Sequence, residues 1–340
     1  MPLRVAMKNH WMSPWRWPLR LLWIGCGLAL SAKGYASCTL TTGSGEGFFG
    51  TVSSLSISQS QQVASVPDAG LYCDGAALAL LGIGNRMDAT VSSANAGALV
   101  RTGSTDAVPY QIFADPSYDN EIPLNTTFNY ARSNLLDLLG LLGGSSYSLP
   151  MTLRTQTGDY NLAAGTYTDQ LSVSWNWNVC SGVNLLFICL GRSTGSGTAV
   201  VNLRLEVSKD CVIEAPDLDF GSAPLVVGFN SVTQTISIRC TKDALYSVGL
   251  SDGSYADGGQ RRMAADGQYL AYELYKSITG SDRWGASGSE RRSSESADQN
   301  PGAYTGTLTQ GFIYRAEILS GQSTPPAGTY IDMIVVDVAF

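Results

Sequence analysis

Gly165-Thr166-Tyr167, followed at alternate positions by Asp169, Leu171, Val173, Trp175 and Trp177, is repeated in the same spacing by Gly328-Thr329-Tyr330, Asp332, Ile334, Val336, Val338 and Phe340. Both segments alternate apolar with other residues, which is the period of a strand with one buried face. Earlier landmarks recur in the same order. Cys38 and Phe49-Gly50 before Cys73 match Cys211 and Phe220-Gly221 before Cys240, and Tyr110-Gln111-Ile112-Phe113 matches Tyr272-Glu273-Leu274-Tyr275. Ordered landmarks of this kind exceed a chance recurrence of Gly-Thr-Tyr turns, so the chain reads as two copies of one β-fold. The junction falls near Ser208 to Asp210, which sets the expected domains at 37–208 and 209–340. With 37 glycines, many short alternating runs and no long helical period, the expected class is all-β, as two tandem antiparallel sandwiches.

Residues 1–36 read as a secretory signal peptide, with Lys8, Arg16 and Arg20 ahead of the apolar run Leu21 to Leu30 and small residues Gly34 and Ala36 at the expected cut. That run falls short of the roughly twenty apolar residues that a bilayer-spanning helix needs. A lipoprotein reading through Cys26 is disfavoured by Trp23, where an aliphatic residue is wanted. The segment holds five Lys and Arg and no acidic residue, so the remainder carries sixteen basic against twenty-eight acidic side chains, a net charge of −12. Such a balance argues against nucleic acid and anionic lipid as partners, because Lys and Arg dominate binding to phosphate.

The single histidine, His10, leaves with the signal. Catalytic triads, Cys-His pairs and His-ligated metal sites all need an imidazole, so the expectation is no enzyme, no cofactor and no metal. Six cysteines remain, at 38, 73, 180, 189, 211 and 240, an even number that reads as disulfides in an exported chain.

The second copy carries Cys211, Asp219-Phe220-Gly221, Cys240, Arg261-Arg262-Met263, Tyr269 to Tyr275, Trp284-Gly285 and the terminal Gly328 to Phe340. This pattern resembles the spore coat protein U-like domain, the subunit family of archaic, Csu-type chaperone-usher pili. The first copy keeps the landmarks but replaces the loops between them, and that arrangement resembles a two-domain tip adhesin. The resemblance implies immunoglobulin-like sandwiches. It also implies that the second lacks its last strand, which is supplied first by a periplasmic chaperone and then by the next pilin subunit after passage through an outer-membrane usher. It further implies secretion through the periplasm to the cell surface, at a pilus tip. After the expected cleavage only Ser37 precedes Cys38, so this subunit is expected to receive a strand and to give none. The first copy continues through Ala199, Val201, Leu203, Leu205 and Val207, an alternating strand expected to complete it.

Within the first copy three apolar stretches stand out, because pilin surfaces are expected to be polar. In Cys180 to Cys189 the candidates are Leu185, Leu186, Phe187 and Ile188. A Cys180–Cys189 bridge would hold this run as a finger and limit the unfolded chain by roughly 2.5 kcal/mol, with burial of the run as core as the alternative. The second stretch offers Leu135, Leu136, Leu138, Leu139, Leu141 and Leu142, with a short amphipathic helix as the equal alternative to a finger. The third offers Leu80, Leu81 and Ile83, beside Leu78, with an ordinary strand as the alternative. Gathered at one end, the three would contact an abiotic or host surface and support biofilm formation. Cys38 with Cys73 and Cys211 with Cys240 read as one structural bridge per copy, each contributing roughly 3–4 kcal/mol.

Other groups carry weaker expectations. Tyr118, Tyr130 and Tyr147 are candidate sugar platforms for a lectin, and Asp115, Asp119 and Glu121 are the candidate acids of a carboxylate-only glycosidase. Arg261, Arg262 and Glu290 to Glu295 read as solvated charges, and the polar stretch Ser277 to Ala303 as a mobile loop.

Overall fold

The computed structural model describes residues 37–41, 43–74, 84–139, 146–185 and 188–340. The alternation read at Gly165 becomes one arm of a long hairpin. Its strands, Gly165–Leu185 and Ile188–Ser208, stay in antiparallel register from Gly165 opposite Val207 to Leu185 opposite Ile188, with a bulge between Cys180 and Val183. Apolar residues at every second position bury one face of the pair. Leu171, Val173 and Trp175 on one arm and Val201, Leu203 and Leu205 on the other are at most 2% exposed.

Ser44–Ser53 runs parallel to the second arm, and the first arm also pairs with Arg86–Ser93 and Ala98–Arg101. Ala107–Phe113, Met151–Thr155 and Val63–Val66 extend the sheet, and Thr127–Asn129 lies on Arg86–Ser93. A small sheet of Cys38–Leu40, Leu71–Asp74 and Ser146–Ser148 adds Leu71 and Cys73 to the same core. There Cys38 faces Cys73 and is bonded to it. Trp175 donates its indole N–H to the Ala69 carbonyl at 2.9 Å, so the largest core side chain leaves no unpaired polar atom.

A second, separate core is built from Val226 onward. Cys211–Glu214, Val232–Cys240, Gln310–Ile318, Gln268–Tyr275 and Arg262–Ala265 form a five-stranded sheet in that order, and Arg292–Ser293, Ser247–Leu250 and Val336–Ala339 a three-stranded one. Both sheets contribute to a core centred on Trp284 and Phe312, each fully buried. Cys211 and Cys240 face each other in register and are bonded. The chain is thus all-β, built of immunoglobulin-like sandwiches. The continuous strand expected from Gly328 is shorter than its counterpart: Val336–Ala339 forms a strand, and Ile331 touches Ala264 through an isolated bridge.

Two expectations for this lobe are corrected. Arg261 is fully buried rather than solvated. Its guanidinium donates to Glu273 at 2.5 Å and to the carbonyls of Leu250, Ser251 and Trp284, and Glu273 takes a second cation, Arg283, at 3.0 Å. Ser277 to Ala303 is pinned rather than mobile: Trp284 is in the core, and Arg292 donates to the Ile313 and Ser296 carbonyls and to Asp298. A segment with almost no apolar side chains is held here by guanidinium groups that satisfy carbonyls from the inside.

Polar contacts join the two cores. Lys242 Nζ donates to Asp106 Oδ1 at 2.6 Å, Ser54 and Thr241 hydroxyls lie 2.7 Å apart, and Asn161 Nδ2 donates to the Thr305 carbonyl at 3.1 Å. Burial opposes ionisation of Asp106, but hydrogen bonds from Lys242 and the Ala163 N–H outweigh it and hold the carboxyl below its usual range.

Candidate functional site

The described residues that flank the three apolar stretches lie at one end of the first lobe, where Asp74, which precedes 75–83, lies opposite Ser146, which follows 140–145. Arg86, which opens the next strand, lies opposite Asn178 of the hairpin, and Tyr130 donates its N–H to the Met87 carbonyl at 2.9 Å just ahead of the helix Ser133–Leu138. Past Asn178 the first arm pairs, among the described residues, with the second arm alone. Val179 and Cys180 are still buried against the lobe, and beyond them Ser181 to Leu185 extends as a two-stranded finger of about 13 Å, at ~3.3 Å per residue. Cys180 and Cys189 cross-link its arms with Cα atoms 5.8 Å apart. Asn85, only 7% exposed, accepts the Cys180 N–H at 3.0 Å and pins the root of the finger. A lone Asn after a glycine gave no sequence signal of that role.

Leu185 and Ile188 face each other across the finger, and of these two only the backbone is described. Leu186, Phe187, Leu80, Leu81, Ile83, Leu141 and Leu142 lie outside the described residues, as does Leu78. Leu135 and Leu136 are fully buried, which favours the amphipathic helix over a finger at these two positions: the short helix turns them into the first core. Leu138 on the same helix is 46% exposed, and Leu139 is partly covered by the core.

A second feature lies in the other lobe. Ile334, Val336 and Val338 occupy the repeat positions of the buried Leu171, Val173 and Trp175, yet each is only half-buried. Phe340 is 54% exposed where its counterpart Trp177 is 7% exposed. The difference is one strand. In the first lobe Ile188–Ser208 lies between Gly165–Leu185 and Ser44–Ser53. In the second, Val336–Ala339 pairs with Ser247–Leu250 and, among the described residues, with no strand on its other side. The segment around Phe220-Gly221, counterpart of the one that includes Phe49-Gly50, is not in a sheet, and beyond it Leu225 and Val227 are 55% and 80% exposed. This edge combines free backbone groups with an uncovered apolar face.

The repeated aspartates are structural in both lobes. Asp169 accepts from the Tyr110 hydroxyl at 2.5 Å and the Ser93 hydroxyl at 2.6 Å, and Asp332 accepts from Tyr272 at 2.7 Å and the Ser254 N–H at 2.8 Å. Burial first, and then the neighbouring carboxylate, push both phenols far above their ordinary value. The candidate acids are each engaged locally, Asp119 accepting from the Ser117 hydroxyl at 2.9 Å and Glu121 from Gln111 Nε2 at 3.2 Å. Asp115 is fully buried and accepts from Ser117 and Asn120, bonds that hold it below the usual carboxylate range in spite of burial, so it organises its own turn. Of the candidate sugar platforms, Tyr130 is buried against Trp175 at 5.4 Å, and Tyr118 packs edge-on to Phe113 at 5.3 Å under Arg154.

Two sandwiches, each closed by a cysteine pair facing across neighbouring strands and one keeping an uncovered edge, define a tandem immunoglobulin-like subunit. The chain belongs to the Spore Coat Protein U domain family, whose model matches residues 27–174 and 197–337. In fold it is similar to a chain of the CsuC–CsuE chaperone–tip adhesion subunit pre-assembly complex from archaic chaperone-usher Csu pili of Acinetobacter baumannii. That likeness covers 89% of this chain and 100% of that one, with a TM-score of 0.59 at 23% identity. Similarity to the CupB6 tip adhesin of Pseudomonas aeruginosa covers 89% and 94% of the two chains, at a TM-score of 0.29 and 9% identity, and carries no argument. No curated protein matches the chain.

Proposed function

We propose that this protein is the tip adhesin of a chaperone-usher pilus, non-enzymatic and carried through the periplasm to the cell surface. In this reading residues 37–208 form the adhesin domain and 209–340 a pilin domain. The adhesin domain meets an abiotic or host surface with its apolar finger and the two neighbouring loops. The pilin domain takes a strand first from a periplasmic chaperone and then, at an outer-membrane usher, from the next subunit.

The observation that carries the reading is the contrast between equivalent residues, Val173 fully buried under a covering strand and Val336 half-buried without one. A donor with apolar residues at alternate positions would repair it, pairing with the free edge of Val336–Ala339 and filling the open face. Membership of the family and a fold like that of the Csu complex support the same assignment. At the opposite end, burying even a few leucine-sized side chains on an apolar surface is favourable by roughly 1.5–3 kcal/mol each, and many tips per cell add by multivalency.

Periplasmic expression with and without the cognate chaperone tests the assembly half. The chain expressed alone is expected to aggregate or be degraded, and co-expression to give a soluble complex. A stable soluble monomer without the chaperone would refute the pilin reading. Attachment to polystyrene, measured on piliated cells, tests the adhesive half.

A further inference from the structure

The first lobe carries an open groove of about 640 Å³ on the outer face of its hairpin, lined by Phe48, Asn95, Gln170, Asn202, Arg204 and Glu46 among others. It lies away from the finger, since Gln170 and Asn178 are eight strand positions apart, about 26 Å. Phe48 is 47% exposed, the only exposed phenylalanine among the described residues of this lobe, and the Arg204 guanidinium lies 4.5 Å from its ring centroid. Beside it Gln170 and Asn202 face each other across the two arms, and Gln170 Nε2 donates to Asn202 Oδ1 at 3.1 Å. That single bond leaves Gln170 Oε1 and the Asn202 side-chain amino group with no protein partner among the described residues, an acceptor next to a donor. Adjacent hydroxyls on a pyranose ring present the complement of that pair.

We propose that this groove binds a neutral oligosaccharide, with a sugar ring against Phe48 and vicinal hydroxyls on the Gln170–Asn202 amide pair. Aromatic rings with a few convergent polar groups are the usual makeup of a small-molecule site. Charge decides the class of sugar. The one cation, Arg204, is already paired with Glu206 at 3.0 Å, and Glu46 adds a negative charge, so no free positive charge awaits a uronate, sialate or phosphate. The groove is not demanded by the fold. The second copy has Asp219 and Met333 at the repeat positions of Phe48 and Gln170, so the aromatic and the amide pair are particular to the first lobe.

The test titrates the full chain, purified as its soluble complex with the co-expressed chaperone, with cellohexaose, laminarihexaose, mannohexaose and a sialylated trisaccharide by calorimetry, with the chaperone alone as the blank. At least one neutral hexamer is expected to bind. Phe48→Ala and Gln170→Met are each expected to weaken it tenfold or more while leaving the thermal midpoint and polystyrene attachment unchanged, since neither side chain lies in a core or on the finger. No binding by any neutral hexamer, equal binding by the two variants, or preference for the sialylated sugar overturns the proposal. Loss of polystyrene attachment in finger variants with sugar binding intact keeps the two sites distinct.

Discussion

Replacing Val173 and Val336 separately by alanine turns the uncovered edge into a measurement. Each change removes the same two methyl groups from the same repeat position. At Val173, fully buried under Ile188–Ser208, the loss is the transfer term plus a cavity, about 2–3 kcal/mol. At Val336, half-buried, about 1 kcal/mol is lost from the second lobe alone. The remaining ~1.4 kcal/mol is realised only when a strand covers the face, which is about tenfold in strand affinity. The first lobe's own covering strand supplies a probe: a peptide of the sequence Ala199–Ser208, whose alternate residues are apolar. The full chain is refolded from urea at graded peptide concentrations, with soluble yield and the fluorescence of Trp284 in the second core as readouts. Val336→Ala is expected to raise the half-saturating peptide concentration about tenfold, and Val173→Ala to leave it unchanged while weakening the first lobe. Equal half-saturation for wild type and Val336→Ala, or complete refolding of the second core with no peptide present, would refute the reasoning.

Leu138→Ser, at an exposed position, is expected to change stability by less than about 0.5 kcal/mol and to reduce attachment to polystyrene, whereas Leu135→Ala, in the core, costs about 2–5 kcal/mol and removes the subunit from the cell surface. Paired Cys180→Ser and Cys189→Ser changes remove roughly 2.5 kcal/mol of constraint from the finger, read as faster proteolysis at 181–188 with both cores intact. Arg261→Ala leaves Glu273 with Arg283 as its remaining cation, takes the guanidinium donor from the Leu250 and Trp284 carbonyls, and is expected to destabilise the second core by about 3 kcal/mol in urea unfolding. Tyr110 and Tyr272 have folded pKa values raised above the ordinary 10.0, so the stability they contribute is full below pH 10 and lost as pH rises through the folded values. An absorbance titration at 295 nm is expected to show these two phenols ionising only as the protein unfolds.

The repeat was legible because its signals are local. A Gly-Thr-Tyr turn, a period of two and a facing cysteine pair need no knowledge of distant residues; Cys38–Cys73 and Cys211–Cys240 form as position in the repeat suggested, and Cys180–Cys189 as the short loop between them suggested. What escaped the sequence was set by partners far along the chain. Arg261 looks like any surface arginine until Trp284 and Leu250 bring their carbonyls to it. Tyr130 looks like an exposed aromatic until Trp175 packs on it, and for Leu135 and Leu136 the sequence leaves a finger and a short helix as equals, which only packing on the first core decides. The open edge is the subtlest case: Val336 reads the same as Val173, and only the neighbouring strand, absent from one copy's surroundings, separates them.

The second arm of the hairpin has a mechanical consequence. Ile188–Ser208 starts at the finger, is clamped antiparallel on one side and parallel on the other, and passes through Lys209 and Asp210 directly into Cys211, which is tied to Cys240. Under the proposed adhesin role, drag on a cell held by its tip would pull along this arm rather than across it. The ladder is then loaded in shear, with many hydrogen bonds resisting together, instead of being unzipped one at a time. In that role tension would be delivered to the second lobe through a strand paired on both sides, and the finger would hold without the sandwich behind it tearing open.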